Sequence, residues 1–362
     1  MKKTFLGIGA GPIQTGIFVA GARHGNFDRI VLAEVDPKIV ATVRAAGSIT
    51  VNTAGKGSET FDRVEILNPT VPEELEKLKE IAAEAVAVNT ALPSVSFYRF
   101  AVPYLAAGFA RSKGAKYVFA SENSTTAAEE LRRAVGEFPN VYYLDTVIGK
   151  MSKVFDAAES ELPPLAPGCH RGHLVEAFNT IYTDSAPGIE TLGIAGLYPK
   201  QDLTPFEEAK LYGHNAVHCL LGVLAAERNL STMDETAAYP DMMKSARTAL
   251  IEECGQSLCK KYAGADEYFE PANFRAWAEE LLERMVSPAL ADSVDRVIRD
   301  PERKLGWDDR LIGAIRLCLS QKVNPANLIE GVKLLRKRVD WEQVRKSWPD
   351  DAERAELQNK LQ

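Results

Sequence analysis

A glycine-rich turn near the start of the sequence constrains the fold most strongly. A short apolar run, Thr4 to Ile8, leads directly into Gly9-Ala10-Gly11, and a helical pattern follows from Ile13 to Ala22. Glycine lets the backbone approach a pyrophosphate, and the helix N-terminus stabilises its charge. The order strand, Gly-x-Gly turn and helix is therefore typical of dinucleotide-binding units. Gln14 takes the place of the usual third glycine, so the turn alone is a weak signal.

Glu34 strengthens this interpretation. The segment RIVLAEV, Arg29 to Val35, predicts a second buried strand, and Glu34 lies at its end. An acid about 20 residues after the turn can accept hydrogen bonds from both hydroxyls of an adenosine ribose and repels a 2′-phosphate. It therefore favours NAD over NADP, with Asp36 as the alternative residue for the role. A tight turn next to an unrelated solvated acid would give the same pattern.

Strand-like and helical patterns alternate along the first half of the chain. Further strands are predicted at Ala85 to Thr90 and at Tyr117 to Ser121, and helices at Glu73 to Ala83 and at Phe97 to Lys113. Nearly continuous apolar strands that alternate with helices are typical of a parallel sheet covered on both faces.

The second half of the chain is almost wholly helical in pattern from Pro205 onward. We therefore predict an α/β protein with two domains. Residues 1–198 form an N-terminal Rossmann-type doubly wound domain, and residues 199–362 form a mainly α-helical C-terminal domain.

Composition excludes several classes of partner. Lys and Arg number 43 against 50 Asp and Glu, a net charge of −7, and this acidity argues against non-specific nucleic-acid binding. No apolar run reaches the roughly 18 residues of a membrane span. Lys2 and Lys3 before an apolar run imitate a secretory signal, but several glycines interrupt that run. The five cysteines include no CxxC pair. We expect a cytoplasmic protein with reduced thiols, no nucleic-acid partner and no membrane partner.

The segment EAKLYGHNAVH, Glu208 to His218, carries the candidate chemistry. At 100° per residue, Lys210 and Asn215 each lie within about 80° of His218, and about 140° from each other. A lysine whose pKa is lowered by burial or by nearby cations can accept a hydroxyl proton. An asparagine can stabilise the developing negative charge, while a histidine orients the hydroxyl. These three are the predicted catalytic residues of an alcohol oxidation without a metal.

Other interpretations of this segment stay open. Lys210 fits a solvated surface lysine, Asn215 a polar packing residue, and His218 a core histidine with satisfied hydrogen bonds. His214 and His218 lie four residues apart and could be metal ligands. No carboxylate or cysteine follows at a typical third-ligand spacing, so we predict no metal site.

The spacing Lys210-x4-Asn215-x2-His218 resembles the signature of the polyol-specific long-chain dehydrogenases, which use NAD(P) and no zinc. Other segments, in order, are similar to the mannitol-1-phosphate 5-dehydrogenase branch: GAGPIQTG, LAEV, SENSTTAAEEL, LDTVIGKMSKV and RVIRDPERKLGWDDRLIG. The resemblance implies a Rossmann domain, a helical second domain and reversible hydride transfer between NAD and a sugar-alcohol carbon. It also implies the base, oxyanion and orienting roles for Lys210, Asn215 and His218.

Three features depart from the family pattern. Gln14 replaces a glycine of the cofactor turn, and Gly149-Lys150 stands where the family commonly shows an Asp-Arg pair. The segment CHRGH, Cys169 to His173, has no counterpart that we can place. We expect substrate contacts from the Gly149-Lys150 loop to differ from those of the family.

A basic cluster between Arg296 and Arg310 bears on the substrate. It holds five cations within an acidic protein, and guanidinium groups bind phosphate bidentately. Interleaved acids make an ordinary salt-bridged helix the favoured interpretation on charge pattern alone. The family resemblance instead favours a pocket for a phosphate or for polyol hydroxyls. The predicted substrate-binding residues are Asp145, Arg296, Arg303 and Lys304.

These observations combine into one functional hypothesis. The chain is expected to use NAD to interconvert a sugar alcohol or its phosphate and the ketose, with mannitol 1-phosphate/fructose 6-phosphate as first candidate, as a monomer or homodimer. The alternatives are a dehydrogenase of an unphosphorylated polyol or hexuronate, similar to mannitol 2-dehydrogenase or fructuronate/tagaturonate reductase, and a non-catalytic NAD(H)-binding regulator. The predicted cofactor-binding residues are Gly9, Gly11, Pro12, Ile13, Glu34, Thr90 and Asn123.

Overall fold

The computed structural model describes residues 3–350 and 352–361 and has two compact units. The first unit is Met1–Leu203 and the second is Thr204–Gln362. The predicted domain boundary, between residues 198 and 199, falls inside a strand, Leu197–Lys200. Lys2 of the apparent signal and the outer ends of both predicted domains lie outside the described residues.

Two sheets form the framework of the first unit. Their strands are β1 Thr4–Ile8, β2 Arg29–Ala33, β3 Ser48–Thr53, β4 Gly57–Asp62, β5 Val64–Leu67, β6 Ala87–Thr90, β7 Lys116–Ala120, β8 Val141–Ile148, β9 Ser152–Asp156, β10 Arg171–Val175, β11 Ile181–Asp184 and β12 Leu197–Lys200. The main sheet has the order β12-β11-β8-β7-β6-β1-β2-β5, and a smaller sheet has the order β4-β3-β10-β9.

The main sheet confirms the predicted Rossmann-type fold. From β5 to β8 its six strands are parallel, and the chain order of these strands across the sheet is the 3-2-1-4-5-6 order of dinucleotide-binding folds. Consecutive strand residues point to opposite faces of the sheet: Phe5 packs in one apolar cluster and Leu6 in the other. Both faces are therefore covered, as the continuous apolar strands predict.

Short helices cover this sheet. A π-helical stretch, Gln14–Val19, opens α1, and two short 3₁₀ turns follow later at Val95–Phe97 and Ile189–Thr191. The helices are α1 Ala20–His24, α2 Pro37–Ala46, α3 Pro72–Glu84, α4 Tyr98–Ala101, α5 Tyr104–Phe109 and α6 Ala127–Val135. The single helix predicted from Phe97 to Lys113 is wrong. Pro103 separates α4 from α5, because proline has no N–H for the helical ladder and clashes with the preceding turn.

Gln14 has a packing role that the sequence did not reveal. Its side chain is fully buried and accepts a hydrogen bond from Asn89 Nδ2 at 2.9 Å. A Cβ at Gly7 would lie 2.4 Å from Gln14 Nε2. Gly7 in the strand thus leaves room for the Gln14 side chain. In the usual pattern a third glycine, on the helix, allows the close packing of helix and strand.

The described residues of the second unit form helices and no strand. The helices are α7 Thr204–Glu208, α8 Ala216–Glu227, α9 Pro240–Thr248, α10 Gln256–Lys261, α11 Pro271–Met285, α12 Val294–Ile298, α13 Pro301–Lys304, α14 Arg310–Ser320, α15 Ala326–Leu335, α16 Trp341–Lys346 and α17 Ala352–Leu361. Two π-helical stretches, Ala209–Asn215 and Ala249–Gly255, join α7 to α8 and α9 to α10. Short 3₁₀ turns occur at Met233–Ala238, Glu267–Phe269 and Arg336–Arg338. The predicted helical C-terminal half is confirmed.

Glu253 stabilises this unit by capping a neighbouring helix. Its buried carboxylate accepts hydrogen bonds from the backbone and side-chain amides of Asn327, at 2.8 and 2.7 Å, and from Leu328 N at 3.2 Å. These groups lie in the first turn of α15, whose own N-cap residue, Pro325, has no side-chain cap. A carboxylate at a helix N-terminus also interacts favourably with the helix dipole.

We expect Glu253→Gln to lower the free energy of unfolding by about 2 kcal/mol, because an amide group would then face these N–H donors. Glu330→Gln, on the exposed face of α15, should stay within about 0.5 kcal/mol of the unmodified chain. Thermal unfolding and amide exchange at residues 327 and 328 measure both effects. An unchanged midpoint together with unchanged exchange in Glu253→Gln would show that the cap contributes little.

Candidate active site

The glycine turn opens onto a cavity of about 470 Å³ in the first unit. Gly9 has a φ of +90°, and a Cβ there would lie 2.9 Å from the carbonyl oxygen of Ala91. A Cβ at Gly11 would meet nothing within 4 Å. The backbone conformation at position 9 therefore requires glycine. Gly11 instead leaves open space beside the start of the helix, where a phosphate can approach.

Glu34 is held rigidly in the wall of this cavity. Its Oε2 accepts a hydrogen bond from Ala10 N at 2.9 Å, and its Oε1 accepts from Val35 N and Asp36 N at 2.8 and 2.9 Å. An ionised carboxylate has about four lone-pair sites, so one remains for a ribose hydroxyl even with all three contacts in place. Asp36, the alternative acid, instead caps α2 by accepting a hydrogen bond from Lys38 N.

Five of the seven predicted cofactor-binding residues line the cavity: Gly9, Gly11, Pro12, Ile13 and Glu34. Thr90 and Asn123 are not among its lining residues. Thr90 is fully buried, and its hydroxyl donates to Glu122 Oε2 at 2.9 Å. Glu122 Oε1 in turn accepts from Leu92 N, and Leu92 does line the cavity. The Thr90 side chain thus points to the protein interior and contacts the cavity wall only through Glu122 and Leu92.

Sequence reasoning missed a large apolar part of the cavity wall. Val35, Phe97 and Phe100 line it with exposed fractions of 59%, 47% and 72%. Apolar side chains such as these, above all the flat phenyl rings of Phe97 and Phe100, are suited to packing against a purine ring. Their exposure in an otherwise well-buried set of aromatics was the missing signal, and exposure cannot be read from sequence.

Two of the features that depart from the family pattern also lie in the first unit. Lys150 Nζ donates to Gly16 O at 3.0 Å and to Asn179 Oδ1 at 3.3 Å. The segment Cys169 to His173 runs into β10, and Arg171 from this segment lines the cofactor cavity. Nothing in the local sequence marked Arg171, because its contacts come from elements far away in the chain.

The predicted catalytic segment lies in the second unit, where Lys210 and Asn215 belong to the π-helical stretch and His218 to α8. The α-helical spacing assumed from sequence is wrong here. In a π turn each hydrogen bond spans five residues, so residues five apart, such as Lys210 and Asn215, lie nearly above one another. The separation of about 140° expected for an α-helix is therefore reduced, and the two polar groups share one side.

The surroundings of Lys210 favour its neutral form. Burial, and then the nearby Arg310 guanidinium, lower the pKa of Lys210 to about 8, against a smaller opposing effect of Glu207. The pKa of His214 is also lowered, by burial first and then by His218 and other cations that include Lys210. A lysine with a pKa near 8 exchanges its proton readily at neutral pH, as a general base requires.

His218 lies beside an acid–arginine pair. Its side chain is 13% exposed, and its Nε2 lies 3.8 Å from Asp292 Oδ2. Arg296 Nε and Nη2 both donate to the Asp292 carboxylate. Burial lowers the pKa of His218 to about 4, although Asp292 opposes this shift, so the imidazole is neutral at physiological pH. Asp292 was missed, and its spacing of four residues before Arg296 is the signal that could have revealed it.

The predicted substrate-binding cations are engaged within the protein. Arg303 pairs with Asp309 at 3.1 Å, and Lys304 is buried and donates to the backbone oxygen of Arg299. Burial lowers the pKa of Lys304 to about 8. This agrees with the salt-bridged interpretation that charge pattern alone favours.

Asp145 lies in the first unit. It accepts a hydrogen bond from Ala128 N in α6 at 2.8 Å, and its own N–H donates to Asp184 Oδ2. Burial raises the pKa of Asp145 to about 6, against the effect of the Ala128 bond and with a smaller contribution from Asp184 in the same direction as burial. Its side chain thus already caps a helix.

Two kinds of feature are absent from residues 3–350 and 352–361. No helix there is long and apolar enough to cross a membrane. No three His, Cys, Asp or Glu side chains in these ranges are grouped so that they could hold a metal ion.

Residues 202–358 match the family "Mannitol dehydrogenase C-terminal domain". Mannitol-1-phosphate 5-dehydrogenase of Bacillus velezensis is 28% identical to this chain, and the alignment covers 98% of the chain and 90% of that protein. The second unit therefore matches a mannitol dehydrogenase domain, and nearly the whole chain is similar to polyol dehydrogenases. The Bacillus subtilis protein of the same name is 27% identical over 90% of this chain and 85% of its own length.

Solved structures agree with this chain in fold. A substrate-free D-sorbitol dehydrogenase has a TM-score of 0.73 at 13% identity, covering 100% of this chain and 92% of that one. The Pseudomonas fluorescens mannitol 2-dehydrogenase, solved with NAD and D-mannitol, has a TM-score of 0.67 at 15% identity, covering 100% and 84%. The predicted resemblance and fold class are confirmed.

Proposed function

We propose that this polyol dehydrogenase uses NAD to interconvert a sugar alcohol phosphate and its ketose phosphate, with mannitol 1-phosphate/fructose 6-phosphate as the first pair. The observation that carries the proposal is Lys210 on a π-helical turn, with its pKa lowered to about 8 by burial and by Arg310. A half-buried lysine with this pKa, on the same turn as Asn215 and followed by His218, is suited to removing a hydroxyl proton.

The residues of the first unit fit NAD. The open space at Gly11 would receive the pyrophosphate, and the one acceptor site that Glu34 has left would bind a ribose hydroxyl. Val35, Phe97 and Phe100 offer apolar surface to the adenine. When bound, the nicotinamide accepts a hydride from the alcohol carbon or returns it to the ketose.

The residues of the second unit supply the proton chemistry. In the direction of oxidation, neutral Lys210 accepts the hydroxyl proton at its Nζ as the hydride leaves the carbon. The Asn215 amide donates to the oxygen as negative charge develops there, and then to the ketone. His218, a neutral imidazole that lies beside Asp292, orients the hydroxyl. In reduction the same Nζ, protonated, returns its proton to the oxygen.

The phosphate assignment rests on the relatives and on the basic residues from Arg296 to Arg310. All eight relatives compared here bear the name mannitol-1-phosphate 5-dehydrogenase. One observation favours the alternative, an unphosphorylated polyol or a hexuronate. Arg296, Arg303 and Arg310 all contact acids within the protein, so a phosphate must share or displace these partners.

A substrate panel tests the proposal. The purified chain is given NADH with fructose 6-phosphate, fructose, fructuronate or tagaturonate, and consumption of NADH is followed. The proposal predicts the highest kcat/KM for fructose 6-phosphate. Turnover of fructose alone would transfer the assignment to an unphosphorylated polyol, and NADH binding with no turnover of any compound would support a non-catalytic regulator.

The two reaction directions should depend on pH in opposite ways. Oxidation needs neutral Lys210, so its kcat/KM should rise as pH increases through about 8 and then level off. Reduction needs the protonated form, so its kcat/KM should fall over the same range. The charged groups that act on Lys210 are Arg310 and Glu207. Rate profiles that are flat between pH 6 and 10 in both directions would exclude Lys210 as the titrating base.

A further inference from the structure

The adenosine end of the cofactor cavity holds a cation beside the acid expected to bind the ribose. Arg171 Nη2 lies 4.0 Å from Glu34 Oε2, and both residues line the cavity. The Arg171 side chain is 28% exposed. Its Nε is buried and has no hydrogen-bond partner among the described residues. A guanidinium has five donors, and because Nε is the buried one, the donors of Arg171 left for a ligand in the cavity are those of its two Nη groups.

The position of Arg171 is fixed relative to the glycine turn. His173, two residues further along β10, is fully buried, and its Nδ1 lies 2.9 Å from Thr15 Oγ1. Thr15 Oγ1 donates to Gly11 O at 3.1 Å, so His173 Nδ1 is the donor in their contact. The small sheet is therefore hydrogen-bonded to the turn itself, and the guanidinium stands at a defined place beside Glu34.

A second acid–base contact lies next to the first. His170 Nε2 is 3.8 Å from Asp36 Oδ2, with the His170 side chain 46% exposed. Glu34 and Asp36 follow β2, while His170 and Arg171 come from the CHRGH segment. This segment, which the family pattern leaves unexplained, thus places the Arg171 guanidinium beside Glu34 and the His170 imidazole beside Asp36.

These contacts place opposing charges where NAD and NADP differ. A carboxylate at the adenosine ribose accepts from the free hydroxyls and repels a 2′-phosphate, whereas a nearby arginine accommodates that phosphate. A guanidinium also binds phosphate bidentately and with charge assistance. Glu34 and Arg171 lie within 4.0 Å of each other. The choice between NAD and NADP therefore depends on whether the carboxylate or the guanidinium has the larger effect.

We propose that Arg171 makes the adenosine end a latent 2′-phosphate site that Glu34 keeps closed, so that this pair sets the choice between NAD and NADP. The proposal rests on dinucleotide binding in this cavity, as the proposed function has it. It assigns Arg171 as a specificity-determining residue and gives the CHRGH segment a role. Glu34 excludes the 2′-phosphate in the unmodified chain, and loss of its charge lets Arg171 bind that group.

The test compares adenosine 2′,5′-bisphosphate with 5′-AMP by calorimetric titration, which needs no turnover. The unmodified chain should bind 5′-AMP more tightly. Glu34→Gln should raise the affinity for the bisphosphate about tenfold or more relative to 5′-AMP, the usual size of one charge-assisted hydrogen bond. Adding Arg171→Leu to Glu34→Gln should cancel that gain. Arg133→Leu, on the exposed surface of α6, serves as the matched control and should leave both affinities unchanged.

The outcomes separate this inference from the function on which it rests. If Glu34→Gln and its Arg171→Leu derivative have the same preference between the two ligands, the role of Arg171 is refuted while dinucleotide binding stands. If the unmodified chain binds neither 5′-AMP nor NADH, the proposed function itself fails. Should Glu34→Gln not fold, Glu34→Ala takes its place with and without Arg171→Leu, and the same ligand preference in both variants would overturn the inference.

Discussion

Replacing Lys210 with alanine is expected to lower kcat about a hundredfold or more, the scale typical of a general base. The cause is the loss of the only group that we assign to carry the hydroxyl proton. Because Lys210 belongs to the second unit and the cofactor cavity to the first, the affinity for NADH should change little. Steady-state kinetics in both directions, together with NADH titration, measure the two quantities.

A proton role makes a further demand on this variant. Small primary amines added to the solution should restore part of the rate of Lys210→Ala, and the restored rate should follow the basicity of the amine. Lys244→Ala, on an exposed position of α9, is the matched control and should behave as the unmodified chain. Near-normal turnover of Lys210→Ala would refute the mechanism, whatever the cofactor affinity.

Replacing Asn215 with alanine is also expected to lower kcat about a hundredfold, the lower end of the range for loss of one oxyanion donor. The π-helical turn brings Asn215 to the same side as Lys210, so its amide can donate to the oxygen from which Lys210 takes the proton. The loss should be mainly in kcat, because the interaction strengthens as charge develops on the oxygen.

The pH dependence distinguishes Asn215 from the base. Asn215→Ala should retain the rise of the oxidation rate through about pH 8, whereas Lys210→Ala should lose it. Asn273→Ala, on the exposed N-terminal part of α11, is the control and should keep the full rate. A variant at Asn215 that raises KM and leaves kcat unchanged would assign this side chain to ground-state binding only.

The sequence predicts the cofactor end well because its determinants are local. The positive φ at position 9 requires glycine, and Glu34 follows directly after the second strand. Both features depend on only a few neighbouring residues. Thr90 was misplaced because the face of the strand to which it points depends on Glu122, more than thirty residues later. Arg171 was missed because the small sheet that carries it pairs strands distant in sequence.

The catalytic end shows a different limit. Residue type and spacing identify Lys210, Asn215 and His218 as candidates, but the angular argument assumed an α-helix, and a π-helical turn replaces it. The surroundings that set the chemistry come from segments about 75 to 100 residues later in the chain: Asp292, just before α12, lies beside His218, and Arg310, at the start of α14, lies near Lys210. Tertiary packing determines such contacts, and local propensity carries no information about them.

Isotope transfer tests the central claim most directly. Fructose 6-phosphate is reduced with NADH that carries deuterium at both C4 positions of the nicotinamide, and the product is analysed by mass spectrometry. The account predicts a sugar alcohol phosphate with one deuterium on the former carbonyl carbon, formed rapidly by the unmodified chain and very slowly by Lys210→Ala. A reduced product without deuterium, or no product while NADH is bound, would contradict it.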